Sequence, residues 1–206
     1  MYSFVIIGCE RDLALLELQA QSMSLYLPEG QEIILIVNEI KSRKFMTEFF
    51  KFKHYYDKFN LKIVKRIHFD FAGGQPYVDQ QILKLAAATK TDNHLIVLDC
   101  QNFLCKPYVE LPVFDDKIPY RHGPYSMESE IWEQYCDRLD HKLPLNLHNM
   151  CLSTPIYMHN KVINNMIYHL GSKYRKDGLA GDIRGFARWF YSATRSKSEF
   201  ALYLQW

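Results

Sequence analysis

The sequence predicts an α/β domain built on a central, mostly parallel sheet flanked by helices. Four short apolar runs rich in Val and Ile recur through residues 2–100, and segments of helical period separate them. The runs are continuous rather than alternating, which is the pattern of strands buried on both faces.

Residues 2–8 (YSFVIIG) form the first run, bounded by a polar turn, and read as a buried strand. From Leu13 to Leu27, the residues Leu13, Leu16, Ala20, Met23 and Leu27 fall at helical spacing. Asp12 stands where an N-cap belongs, and Pro28–Glu29–Gly30 ends the helix. Residues 32–39 (EIILIVNE) give a second strand, and Lys41 to Phe59 follows as a helical segment. The third strand is expected over 61–71 (LKIVKRIHFDF), punctuated by Gly73–Gly74–Gln75–Pro76. Val78 to Thr89 then reads as a helix with Ile82, Leu85 and Ala86 inward, and HLIVLDC (94–100) as the fourth strand. Residues 149–158 suggest a strand interrupted at Thr154–Pro155. Lys161 to Leu170 and Ile183 to Ala193 suggest the last helices. Right-handed crossovers between parallel strands bring the loops Gly8–Asp12, Asn38–Ser42, Phe71–Tyr77 and Asp99–Pro107 to one rim of the sheet, where ligands bind in such folds.

A length of 206 residues with 48% apolar and 23% charged side chains describes one soluble globular domain. Within it, 1–108 forms a first half and 109–206 a second. The net charge of +2 gives no global reason to expect nucleic acid or an anionic surface as a partner. It conceals an asymmetry, because residues 41–66 carry nine bases against two acids and residues 110–140 eight acids against three bases. Solvated helical faces account for both runs. The aromatics among the lysines of 41–66 fit the buried side of an amphipathic helix better than a nucleic-acid surface. The N-terminus lacks the charged and apolar regions of a signal peptide, and no apolar stretch is long enough to span a bilayer. The five cysteines show no C-x-x-C pairing, so a reducing, cytoplasmic setting is expected.

The sharpest chemical feature is LIVLDCQN, a strand ending in Asp99 and followed by Gln101 and Asn102. A carboxylate at a strand's C-terminal tip points into the ligand crevice. With neighbouring oxygens it can hold Mg²⁺ or Mn²⁺ on a diphosphate, or it can cap the following turn. The G-x-G-x-x-G of dinucleotide sites and the G-x-x-x-x-G-K-[ST] of P-loops are missing, which disfavours both classes. Cys9 reads as a buried thiol rather than a nucleophile, and the eight histidines show no H-E-x-x-H spacing.

The succession VIIGCERDLALLELQAQSMSLYLP, EIILIVNE, YVDQQILKLAAATKTDNHLIVLDCQNFLCKPY, STPIYM and SEFALY resembles a bacterial family of GT-A-type, glycosyltransferase-like proteins, in the same order over nearly the whole chain. The resemblance is most specific from Gln80 to Pro107. It implies a Rossmann-like nucleotide-diphospho-sugar transferase fold, with residues 1–108 as the nucleotide-binding half and 109–206 as the acceptor side. It implies transfer of a sugar from a nucleoside-diphosphate donor to a hydroxyl acceptor, in surface polysaccharide or glycoconjugate synthesis, with peripheral membrane contact as an accessory expectation. A non-catalytic nucleotide- or glycan-binding protein of the same fold is the alternative. The D-x-D carboxylates of that class hold Mn²⁺ or Mg²⁺. Here the first position is Asp99, the second is Gln101, and Asn102 offers a neutral oxygen.

The same resemblance assigns donor binding to Arg11 and Asp12, whose bland alternatives are a surface residue and a helix cap. It assigns donor binding also to Lys84, otherwise a solvent-facing helical lysine, with Gln80 and Gln81 one turn earlier. Glu199 is the implied general base for an attacking hydroxyl. Tyr77, Tyr120, Tyr125 and Trp132 are candidate stacking faces.

Overall fold

A computed structural model describes residues 1–39, 41–69, 75–108, 155–172 and 183–193. The strands are β1 (Tyr2–Gly8), β2 (Glu32–Val37), β3 (Asn60–Lys65), β4 (His94–Leu98) and β5 (Ile156–Met158). The helices are α1 (Leu13–Tyr26), α2 (Arg43–Phe52), α3 (Pro76–Ala86), α4 (Asn160–Ser172) and α5 (Ile183–Ala193). The strands form one sheet in the order β3-β2-β1-β4-β5, parallel except for the antiparallel edge strand β5. Val5 pairs with Ile34 on one side and Val97 on the other, so β1 is the central strand.

The continuous apolar runs are explained by the two cores they feed. Val5, Ile7, Ile34, Ile36, Leu95 and Val97 pack on one face with residues of α3, α4 and α5. Phe4, Ile6, Ile33, Leu35, Val37, Ile96 and Leu98 point the other way and pack with Leu16, Ala20 and Met23 of α1 and Phe45 and Phe49 of α2. Alternate side chains of one strand thus enter opposite cores, and no face is left for polar residues.

Element boundaries differ from the sequence expectation in two places that bear on the site. The third strand ends at Lys65 rather than near residue 71, and a 3₁₀ turn at Arg66–Phe69 follows it. The helical segment after β2 is divided into α2 and a 3₁₀ turn at Lys53–Tyr56. The expected break at Gly73–Gly74, the segment 149–154 and the acidic stretch 110–140 lie outside the described residues.

The N-terminal ends of the parallel strands are joined by a polar network. Glu32, 9% exposed, accepts hydrogen bonds from Ser3, Thr91 and Asn93, and pairs with Lys62 at 2.6 Å. Burial pushes the Glu32 carboxyl up, but Lys62, Ser3 and Thr91 outweigh it and the net shift is downward. Beside this network, the buried Asn160 of α4 donates to the carbonyls of Ala88 and Thr91 at 2.8 and 2.6 Å, holding α4 against the end of α3. Helices α4 and α5 meet backbone to backbone, since a Cβ on Gly185 would lie 2.4 Å from the Gly171 carbonyl oxygen.

Two outcomes follow from these contacts. Gly185→Ala must push α4 and α5 apart and is expected to cost about 1–3 kcal/mol in urea unfolding. The native state binds the Glu32 proton less readily than the unfolded chain, whose ordinary value is 4.5. The stability this contributes is complete above that value and is lost as pH falls through the lower native one. Urea titrations from about pH 6 to pH 3 should therefore show a larger loss for the wild type than for Glu32→Gln.

Candidate functional site

The strand order reverses at β1, whose chain leads to β2 on one side while β4 lies on the other. In parallel sheets the crevice at such a switch point, outside the strands' C-terminal ends, is where ligands bind. A cleft of about 610 Å³ lies there, lined by Gly8–Asp12 after β1, Asn38, Glu39 and Lys41 after β2, Arg66 after β3, and Pro76 and Gln80 of α3.

Its walls are fixed by backbone hydrogen bonds. The Asn38 N–H donates to the Gly8 carbonyl at 2.9 Å, and the Glu10 N–H donates to the Glu39 carboxylate at 2.9 Å. Glu10 in turn pairs with Lys44. Gly8 is closely approached, since a Cβ there would press on the Phe45 ring at 3.2 Å and on Leu16 at 3.4 Å. Asp12 sits at the cap position of α1 but makes no side-chain cap hydrogen bond. Its carboxylate accepts from the Cys9 thiol at 2.8 Å and lies 3.6 Å from the Arg11 guanidinium, which is 82% exposed at the cleft mouth. The cap reading of Asp12 is therefore replaced by a carboxylate facing the cleft. Burial, the Asp12 hydrogen bond and the Asp12 charge push the Cys9 thiol up to about 11, so it is no thiolate at neutral pH.

The loop after β4 forms the neighbouring part of the rim. Asp99 is paired with Lys84 of α3 at 3.1 Å, the lysine side chain being 5% exposed and the aspartate 31%. Lys84 is thus buried in a stretch where every residue from Gln81 to Ala88 is buried, and is not the solvent-facing lysine that helical periodicity allows. Gln19, wholly buried on α1, donates to the carbonyls of both Asp99 and Asn102 at 2.8 Å. The Asn102 side-chain oxygen accepts the Asp99 N–H at 2.7 Å, closing the turn. The Cys100 thiol reaches the carbonyl of Ile7 at 3.3 Å, which ties this loop to the cleft wall. Burial pushes that thiol up to about 12.

The expected residues thus fall into two groups. Arg11 and Asp12 line the cleft, and Lys84 with Asp99 form an ion pair on the adjoining loop. Of the two glutamines, Gln80 lines the cleft, whereas Gln81, expected at the donor, is buried. Tyr77 is 64% exposed at the start of α3, beside Pro76 of the cleft. Glu199, Tyr120, Tyr125, Trp132 and most of the acceptor-side half lie outside the described residues.

A divalent cation at the D-x-D position needs several converging oxygens. Asp99 is the carboxylate there, and it already meets Lys84. Gln101 is exposed, and the Asn102 oxygen is committed to the turn. Among the described residues no three His, Cys, Asp or Glu side chains gather in a metal-binding group. The described residues by themselves do not supply the oxygen set for the Mn²⁺ or Mg²⁺ that the resemblance implies.

Arg66 and Asp79 were not singled out by the sequence. The guanidinium of Arg66 meets the Asp79 carboxylate at 2.6 Å, with side chains 10% and 1% exposed, and Tyr191 of α5 donates to the other oxygen. A cation of the cleft is thereby fastened to helix α5. The available signal was an aspartate in the first turn of a helix otherwise apolar on that side.

No protein-family model matches the chain, and no curated protein matches its sequence. Among solved structures, the galactosyltransferase LgtC in complex with donor and acceptor sugar analogs superposes with a TM-score of 0.55 at 11% identity, over 98% of this chain and 70% of that one. An active-site mutant of LgtC superposes with a TM-score of 0.55 at 10% identity, over the same shares of the two chains. Mouse xyloside xylosyltransferase 1 aligns over 92% of this chain and 79% of its own, with 10% identity and a TM-score of 0.47, a likeness too loose to argue from. At these identities the shared property is the fold, and the chain has a GT-A-type glycosyltransferase fold.

Asp79→Ala strips a buried guanidinium of its carboxylate and is expected to lower stability by about 3–5 kcal/mol in urea unfolding. A loss well below that range would mean that the Arg66–Asp79 contact is not the buried pair described.

Proposed function

We propose that the chain is a glycosyltransferase that moves a sugar from a nucleoside-diphosphate donor to a hydroxyl acceptor. The observation that carries this reading is the cleft at the β1 switch point, with Arg11, Asp12 and Gln80 on its lining and the Lys84–Asp99 pair on the adjoining loop. A cleft of about 610 Å³ is the size of a small-ligand site. The fold shared with LgtC, a galactosyltransferase solved with donor and acceptor sugar analogs, supports the same substrate class.

In this reading the Gly8–Asp12 loop receives the nucleoside, with the Asp12 carboxylate accepting ribose or base donors. Arg11 and Lys41 at the cleft face phosphate charge, and Lys84 balances charge beside Asp99. Tyr77 offers a stacking face. Glu199 is proposed as the base that takes the acceptor hydroxyl's proton, and the acceptor is proposed to be a glycan or glycoconjugate. Among the described residues no helix is long and apolar enough to cross a membrane. The second reading, a nucleotide- or glycan-binding protein without transfer activity, is favoured by the amide Gln101 at the second D-x-D position.

Thermal unfolding in the presence of UDP, GDP and CDP, each with Mn²⁺ and with EDTA, tests the shared premise. At least one nucleotide is expected to raise the Tm saturably, and Asp12→Ala to weaken that nucleotide about tenfold or more. No shift with any of them, in folded protein, would refute the transferase reading and leave only glycan binding of the second. Release of free sugar or transfer to an added hydroxyl acceptor then separates enzyme from binding protein.

A further inference from the structure

We propose that this site binds its nucleotide without a divalent cation, the buried ammonium of Lys84 taking the place in the charge balance that a metal holds in a D-x-D site. The proposal rests on the transferase reading above and concerns the same cleft. Two carboxylates and one dication sum to zero charge. One carboxylate and one ammonium do so as well, and that is the composition here, with Asp99 at the first position, Gln101 at the second and Lys84 against Asp99 at 3.1 Å.

The geometry of the loop supports this. Among the described residues of this loop, a cation would draw on the lone pairs of Asp99, Gln101 and Asn102. Asp99 is held from behind by Lys84, and the Asn102 oxygen is spent on the Asp99 N–H at 2.7 Å. Gln19 clamps both ends of the turn through the carbonyls of Asp99 and Asn102, at 2.8 Å each. A metal at Asp99 would have to share the carboxylate with a buried ammonium, and recruiting the Asn102 oxygen would open the turn against two hydrogen bonds from a fully buried glutamine. Nor is Lys84 free to swing aside, since its helix is buried all round at this turn.

The test uses the unmodified chain and two titrations. Mn²⁺ alone, followed by the electron paramagnetic resonance of the free ion, is expected to show no saturable binding below millimolar concentration. UDP, GDP and CDP are then titrated in turn by calorimetry in Mn²⁺ and in EDTA. The nucleotide that binds is expected to do so equally in the two buffers, within about threefold. Lys84→Gln is expected to lose about tenfold or more in both buffers alike, with Lys84→Arg restoring most of it. Micromolar Mn²⁺ binding, nucleotide affinity at least about tenfold tighter with Mn²⁺, or undiminished binding by folded Lys84→Gln would each overturn the proposal while leaving the transferase reading intact. A chain that takes none of the nucleotides in either buffer overturns the transferase reading and this inference with it.

Discussion

A charged ammonium inside a protein must be met by an opposite charge, and Lys84 meets one at the tip of β4. Its helix α3 is buried from Gln81 to Ala86, so neither the lysine nor the helix has a solvent side to turn toward at this level. Pairing with Asp99 fixes how far α3 lies along the sheet. Since α3 also carries Pro76 and Gln80, that register sets the far wall of the cleft against the loop after β1. The same helix holds Asp79, which clamps Arg66 and is clamped by Tyr191. Two buried acid–base pairs thus connect α3 to β4, to the end of β3 and to α5, and the rim inherits its shape from them. Such pairs are costly to desolvate and contribute little net stability, but breaking one is expensive, which makes them suited to fixing position.

The two ends of the sheet solve different problems. At the strand ends opposite the cleft, Glu32 gathers Ser3, Thr91, Asn93 and Lys62 into a saturated network that pins four strands' starts together. At the cleft end the polar groups line a volume as well as pairing among themselves. There, Asp12 has no cap hydrogen bond to make, Arg11 is exposed, and Gln80 and Lys41 face open space. The thiols of Cys9 and Cys100 are both pushed well above neutrality, so the chemistry of this rim belongs to its carboxylates and cations.

The fold was legible because each apolar run fed two cores at once, which only a doubly covered parallel sheet demands. Asp99 was legible for the same reason, as the first polar residue after HLIVL. Lys84 was singled out only through the resemblance, since helical periodicity placed it toward solvent and only the packing of α3 buries it. Arg66 was hidden because KRIHFDF alternates like a strand, while the chain leaves the sheet at Lys65 to place the arginine on the rim. Gln19 was hidden because its neighbours Glu17 and Gln21 make it look like surface. Only the three-dimensional path brings the loop carbonyls of Asp99 and Asn102 to it. Asp12 misled through local sequence, since a carboxylate one residue before an apolar helix nearly always reads as a cap.

The central claim is that one rim of the sheet, built from α3 and the loops after β1, β2 and β4, receives a nucleotide. Amide hydrogen exchange with and without a saturating nucleoside diphosphate measures this most directly. The account predicts slowed exchange confined to residues 8–12, 38–41, 76–84 and 99–102, with the opposite end around Thr91 and Asn93 unchanged. Protection that appears at Thr91 and Asn93 while residues 8–12 and 99–102 exchange as before would contradict it.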